Sequence, residues 1–149
     1  MSPLQLQGVQ VDPKEFTIAL SLRESIWRVA QATRQNETPL AEDVETINRA
    51  AARPDLPPQL MLDGFKQAWR SPVTAMEVLS LIARDAIDLF SDALRSRIRE
   101  CENPNCGLMF VDASRPGKRR WCLMKRCGNM VKTSKYRSLK SKKHHEHAS

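Results

Sequence analysis

Four cysteines with paired spacing place the strongest constraint on what this chain can fold into. Cys101 and Cys106 form one C-x4-C pair, Cys122 and Cys127 form a second, and fifteen residues separate the two pairs. Two pairs joined by a hairpin-length segment are a common way to hold one tetrahedral metal ion. Four thiolates complete the coordination shell, so we expect one structural Zn²⁺ and no catalytic water. The spacing alone also fits an iron site, two disulfides or free thiols.

The residues around the cysteines favour the metal. A glycine follows the second cysteine of each pair, Gly107 and Gly128, and we expect both to take the positive φ that a sharp metal knuckle can require. Residues 103–105, Asn-Pro-Asn, are typical of a turn. The first eleven residues have neither the basic start nor the apolar run of a secretory signal. We therefore expect a cytoplasmic protein with reduced thiols.

The positive charge of the chain is concentrated in the same third as the cysteines. Residues 1–100 hold 12 Lys and Arg against 14 Asp and Glu, whereas residues 101–149 hold 12 against 3. Such asymmetry is typical of a chain that meets a polyanion, although a basic tail can also serve solubility alone.

The positions of the histidines and the lack of several catalytic motifs disfavour some classes of function. All three histidines, His144, His145 and His147, lie in the last six residues, so the body has no Ser-His-Asp, Cys-His or His-ligated zinc chemistry. Phosphate-binding glycine loops and paired catalytic carboxylates are also lacking. No stretch has the ~20 apolar residues of a membrane span. We expect neither an enzyme nor a membrane protein.

Apolar periodicity predicts a mainly α fold: a helical N-terminal domain with a short β-hairpin, plus a small C-terminal zinc-bound β-hairpin/helix module. We assign the apolar stripes of the helices, including Trp27, Val44 and Ile82, to the core. The expected domains are residues 1–99, 100–140 and a disordered basic tail over 141–149. The predicted helices cover residues 13–35, 39–53, 71–90 and 91–99, and the predicted hairpin covers residues 60–69 around an Asp-Gly turn.

The C-terminal module is expected to contain a strand, a turn, a return strand and a helix. These elements are predicted over residues 108–111, 115–117, 118–121 and 129–140. Phe110 and Trp121 would then cover the metal site. An alternating Leu/Val pattern near the start, residues 4–11, fits an edge strand or a loose arm.

The residues of this module resemble a known family. The run from Cys101 through Cys127-Gly128-Asn129 resembles the CGNR zinc finger, and Phe110, Asp112, Ser114 and Trp121 contribute to the match. This finger closes bacterial proteins whose N-terminal part is a helical domain called ABATE. Such proteins are regarded as stress-responsive transcription regulators with a finger that binds nucleic acid.

The resemblance carries specific implications for this chain. It implies that the four cysteines ligate zinc and that Arg119, Arg120, Lys132 and Arg137 occupy basic positions of the motif. The motif arginine is Met130 here, which leaves its role vacant or transfers it to Arg126 or Lys132. The family's helical domain usually starts further upstream, so we expect a shortened or incomplete version.

We therefore predict a zinc-containing nucleic-acid-binding protein, with DNA favoured over RNA and a transcription regulator as the first interpretation. The alternatives are RNA binding and a protein-interaction module in which the zinc finger is only a structural staple. Self-association through the helical domain is a further expectation. The candidate nucleic-acid contacts are ten cations: Arg115, Lys118, Arg119, Arg120, Lys125, Arg126, Lys132, Lys135, Arg137 and Lys140.

Overall fold

A computed structural model describes residues 9, 11–70 and 72–134. Within these residues the chain divides into two compact units, Met1–Ala93 and Leu94–Ser149. The basic tail and Lys135, Arg137 and Lys140 lie outside the described residues, as does the predicted edge strand over residues 4–11 apart from residues 9 and 11, which are not in a strand. No helix of the described part is long and apolar enough to cross a membrane.

The first unit is built on three helices, each with recognisable local start signals. Helix α1 spans Pro13–Gln35, as predicted, because Asp12 and Glu15 form a capping box and Asn36 ends the helix in the left-handed conformation. Helix α2 spans Ala41–Ala51, and helix α3 spans Ala75–Ser91 behind a second capping box of Thr74 and Glu77. Strands β1, Pro58–Met61, and β2, Lys66–Trp69, form the predicted antiparallel hairpin.

The core of this unit lies between the three helices. Its buried apolar residues are Leu22, Val29, Ile47, Leu79 and Ala83, with Ala50 beside them. The assignment of Trp27, Val44 and Ile82 to the core was wrong, since each of these side chains is exposed. Their helices bury narrower stripes, because three helices around a small core leave much of each surface in water.

A half-buried ion pair joins α1 to α2. The Arg28 guanidinium donates to both carboxylate oxygens of Asp43, at 2.5 to 3.0 Å, and to the hydroxyl of Ser25. Asp43 is fully buried, whereas the Arg28 side chain is 44% exposed. The hydrogen bonds from Arg28, together with one from Ser25, outweigh burial and lower the pKa of Asp43.

The second unit pairs its strands differently from the prediction. The separate helix predicted over residues 91–99 is replaced by other elements: α3 ends at Ser91, and a short 3-10 helix at Ala93–Arg97 leads into strand β3, Ile98–Glu100. Strand β4, Met109–Val111, was predicted, but its antiparallel partner is β3. The expected return strand at 118–121 was wrong: no strand forms there, and the carbonyl oxygen of Arg120 instead accepts from the N–H of Glu102, just beyond β3. The division between the units falls before the expected 99/100 boundary, since β3 belongs with β4.

A final helix follows the second cysteine pair. We call it α4: it begins as a π-turn over Met124–Gly128 and continues as α-helix over residues 129–134, the last described. The predicted helix over 129–140 is therefore confirmed as far as residue 134 and starts one turn earlier than expected. The mainly α fold class is confirmed.

Candidate metal centre and basic surface

The first cysteine pair is positioned by the end of the β3–β4 ladder. The backbone N–H of Cys101 donates to the carbonyl oxygen of Leu108 at 2.9 Å, which continues the ladder beyond β3. Asn103 then closes the turn: its side-chain oxygen accepts from the N–H of Asn105 at 3.1 Å, and its carbonyl oxygen accepts from the N–H of Cys106 at 2.9 Å. The predicted turn at 103–105 brings Cys106 back towards Cys101.

The second pair is positioned by the first turn of α4. The carbonyl oxygen of Leu123 accepts from the N–H of Cys127 at 2.9 Å and from that of Gly128 at 3.4 Å. This wide first turn places Cys122 before the helix and Cys127 within it. Cys101 and Cys127 are buried, whereas Cys106 and Cys122 are half-buried.

The four sulfur atoms meet at one point. All four Sγ atoms lie within 4.8 Å of one another, and the Cys106–Cys122 and Cys122–Cys127 pairs are each 3.6 Å apart. A tetrahedral zinc site with Zn–S bonds of ~2.3 Å has its sulfurs about 3.8 Å apart. The four cysteines are free thiols at separations that no disulfide has. The structure therefore fits a metal ion held by four sulfurs.

The thiols influence one another strongly in the metal-free cluster. Burial raises the pKa of the Cys122 thiol, and the three neighbouring sulfurs raise it further, to about 12. Burial also opposes ionisation of Cys101, but hydrogen bonds with the backbone of Cys122 and Asn103 and with neighbouring thiols outweigh it and lower the pKa to about 7. Ionisation of Cys122 is thus disfavoured beside the other sulfurs. A bound divalent cation would supply the charge that four thiolates require.

The two glycines that follow the cysteine pairs, Gly107 and Gly128, have different structural roles. Gly107 has the predicted positive φ, +62°. The same expectation for Gly128 was wrong, because Gly128 lies in the first turn of α4 without a positive φ. A Cβ at Gly128 would instead lie 3.0 Å from Cδ1 of Trp121 and collide with the Met124 sulfur. A larger residue at this position would therefore require the exposed Met124 side chain to move and Trp121 to shift slightly.

Asp112 organises the loop between the cysteine pairs, a role that sequence analysis did not assign. Its buried carboxylate accepts from the hydroxyl of Ser114 at 2.6 Å, the N–H of Ser114 at 3.0 Å and the N–H of Arg119 at 2.8 Å. The hydrogen bond from the Ser114 hydroxyl, followed by that from Arg119, lowers the pKa of Asp112. Arg97 fixes the same loop by donating to the carbonyl oxygens of Asp112 and Ser114. The Asp-x-Ser spacing was the available signal, since it is typical of side chains that hydrogen-bond to nearby backbone.

Two of the candidate nucleic-acid contacts are engaged within the unit. The Arg119 guanidinium donates to the carbonyl oxygens of Trp121 and Cys122 and lies 4.9 Å from the centre of the Phe110 ring. Arg120 pairs with Glu102 at 2.6 Å and lies 5.0 Å from the Trp121 ring. Phe110 and Trp121 are half-buried, and an arginine guanidinium lies over the ring of each. These arginines stabilise the module around the cysteines.

The remaining described candidates share a different environment. They are exposed, and no protein partner engages their side chains within the described residues. These five, which we call the free cations, are Arg115, Lys118, Lys125, Arg126 and Lys132. Lys135, Arg137 and Lys140 lie outside the described residues.

Comparison with known families agrees with the two-unit division. A family model described as "Putative stress-induced transcription regulator", ABATE, matches residues 2–93, and a model described as "CGNR zinc finger" matches residues 97–140. The first match covers more than half of the chain, so the chain belongs to the ABATE family. It carries a CGNR-type finger in which residues 127–130 read Cys-Gly-Asn-Met. No curated protein matches this chain.

Proposed function

We propose that this protein is a DNA-binding transcription regulator whose C-terminal unit holds one structural Zn²⁺ ion and contacts the phosphates of duplex DNA. The four clustered sulfurs support zinc, because a closed tetrahedral shell of four thiolates is the usual structural zinc site. The shell has no open position, so we propose no catalytic role for the metal and no enzymatic activity. We also propose a cytoplasmic location, since that compartment keeps thiols reduced and able to bind zinc.

The observation that carries DNA binding is the difference between positive and negative groups in the second unit. Five free cations are exposed, whereas all three acidic residues in the range 94–134, Glu100 included, have protein partners. Asp112 is buried against Ser114 and Arg119, and Glu102 pairs with Arg120. Lysine and arginine side chains of this kind release counterions when they approach phosphates.

The test is a titration of the zinc-loaded chain with a duplex of about 20 base pairs at about 50 and 200 mM salt. Each phosphate contact lowers log K by about 0.9 per decade of salt, so three to five contacts weaken binding by roughly 40- to 500-fold over this range. We expect Lys118→Ala to reduce the slope by about one contact. Lys14→Ala, which removes an equal charge from α1, is the matched control and should leave the slope unchanged.

Three outcomes would contradict the proposal. If the affinity for duplex DNA is the same at both salt concentrations, the proposed phosphate contacts do not form. Single-stranded RNA that displaces the duplex at equal concentration would favour RNA. A folded, zinc-loaded chain that binds neither nucleic acid would leave the finger as a structural staple.

A further inference from the structure

Helix α4 presents one face to the cysteine cluster and the opposite face to solvent. Cys127 and Gly128 are buried and Val131 is half-buried, so these residues lie on the inner side. Cys127 is a candidate metal ligand, and the metal would therefore fix the rotation of the helix as well as its position. The outer face is held in one orientation at the end of the unit.

The outer face has a chemistry that phosphate binding alone does not require. Arg126, Asn129, Met130 and Thr133 follow the i, i+3, i+4, i+7 spacing of one helical stripe, and all four are exposed. No protein partner engages the Arg126 guanidinium or the Asn129 amide among the described residues. The Thr133 hydroxyl donates to the carbonyl oxygen of Asn129 at 2.9 Å, so Thr133 offers mainly its methyl group to a partner.

Met130 is the residue that decides between two kinds of contact. Its side chain is 53% exposed in the middle of this otherwise polar stripe. A thioether gains nothing from a phosphate, but an apolar side chain gains from contact with the C5-methyl group of thymine. Arginine and asparagine are the side chains that pair in a bidentate manner with guanine and adenine. The stripe thus combines hydrogen-bonding groups with apolar groups, and base edges in the major groove present partners for both.

The surroundings of α4 fit the backbone of a duplex. Lys125 and Lys132 are exposed on one side of the stripe, where phosphates would flank an inserted helix. The stripe itself lines an open groove of about 1030 Å³ between α4 and the turn at residues 103–105. The described length of α4, eleven residues or about 16 Å, exceeds the ~12 Å width of the major groove.

We infer that α4 is a recognition helix that enters the major groove of duplex DNA and reads base edges with Arg126, Asn129 and Met130. This inference rests on the proposed function. Arg126 selects guanine, Asn129 selects adenine, and Met130 selects thymine through its methyl group. Residue 130 is then a specificity-determining position, and an arginine there would select guanine instead.

The test is selection from a randomised pool of DNA duplexes with the full zinc-loaded chain. The wild type should enrich a short motif. Met130→Arg should replace thymine by guanine at one position of that motif, and Asn129→Ala should weaken binding to the enriched site by about tenfold to a hundredfold. Both residues are exposed, so zinc content and amide NMR dispersion should match those of the wild type and show that the variants fold.

Lys118→Ala, which changes a free cation outside α4, is the matched control. It should weaken binding to every sequence equally and leave the enriched motif unchanged. The inference is overturned if Met130→Arg enriches the wild-type motif, or if the wild type binds duplexes in a salt-dependent manner without enriching any motif. Those results leave the proposed phosphate binding intact, whereas a wild type that binds no duplex removes both proposals.

Discussion

The two units of this chain bury different kinds of groups. The helical unit buries an aliphatic cluster that includes Leu22, Ile47 and Leu79. In the second unit, Ile98 is the one aliphatic side chain that is buried among the described residues; the other buried residues are Cys101, Asn103, Asp112, Cys127 and Gly128. Burial of apolar surface is therefore the main source of stability in the first unit, which also buries the polar residues Ser25, Asp43, Glu77 and Ser80. We expect the second unit to depend on sulfur–metal bonds and on hydrogen bonds to a buried carboxylate.

The difference has a thermodynamic consequence. A structural zinc ion contributes about 10–16 kcal/mol of apparent binding free energy, which becomes folding free energy when no site exists in the unfolded chain. A unit with so small an apolar core has no substitute for that contribution. The helical unit, in contrast, should not respond to the metal. Each prediction below acts on one unit and spares the other.

The largest effect is expected for Cys101→Ser in the second unit. Loss of one thiolate opens the shell and removes most of the zinc binding energy, so this unit should unfold while the helical unit persists. Zinc-to-protein ratio and amide NMR spectra measure both results. Leu123→Ser, which changes an exposed side chain beside Cys122, should retain one zinc. A folded, zinc-loaded Cys101→Ser protein would contradict the assignment of Cys101 as a ligand.

A smaller effect is expected for Leu22→Ala in the helical unit. Leu22 is 1% exposed, and truncating such a leucine lowers the free energy of unfolding by roughly 2–5 kcal/mol. Thermal denaturation followed by circular dichroism measures the loss. Leu62→Ala, at a side chain that is 95% exposed, should change stability by less than about 0.5 kcal/mol. Zinc content should stay at one per chain in both variants, and its loss in Leu22→Ala would show that the units depend on each other.

The smallest effect is expected from the Arg28–Asp43 pair, because Arg28 stays partly hydrated. The pKa of Asp43 is lower in the folded state than its ordinary value of 3.8. The pair therefore stabilises the helical unit above that value, and its contribution is lost as the pH falls through the folded pKa. Asp43→Asn should be less stable than the wild type at pH 7.

Comparing melting temperatures at neutral and acidic pH tests the sign of this effect. The difference between wild type and Asp43→Asn should narrow as the pH falls below about 4. Glu45→Gln removes an acid of the same helix whose side chain is 74% exposed, and it should show little difference at either pH. If the melting temperature of Asp43→Asn falls further below that of the wild type on acidification, the lowered pKa of Asp43 is contradicted.

The elements that could be predicted from the sequence carry their signals within a few neighbouring residues. Helix α1 begins with Asp12-Pro13 and ends at Asn36, and the structure gives it the predicted bounds. The cysteine cluster was predictable for the same reason, because each pair lies on a single turn. The spacing within each cysteine pair is therefore set by the turn on which the pair lies.

The elements that could not be predicted depend on contacts between distant residues. Residues 98–100 carry a helical pattern with the preceding segment, yet they form a strand because β4 is available for pairing. The sequence also could not show which of the candidate cations are engaged within the protein. Nothing near Arg120 indicates that it pairs with Glu102, 18 residues away. Asp43 likewise finds Arg28 only when α1 packs on α2.

The most direct test of the account is hydrogen exchange of the full chain before and after complete removal of the metal with a chelator. The account predicts that amides of residues 97–128 lose their protection while those of α1, α2 and α3 keep theirs. Added zinc should restore the lost protection at one ion per chain. Protection over residues 97–128 that survives complete metal removal would contradict the claim that a metal ion holds the second unit together.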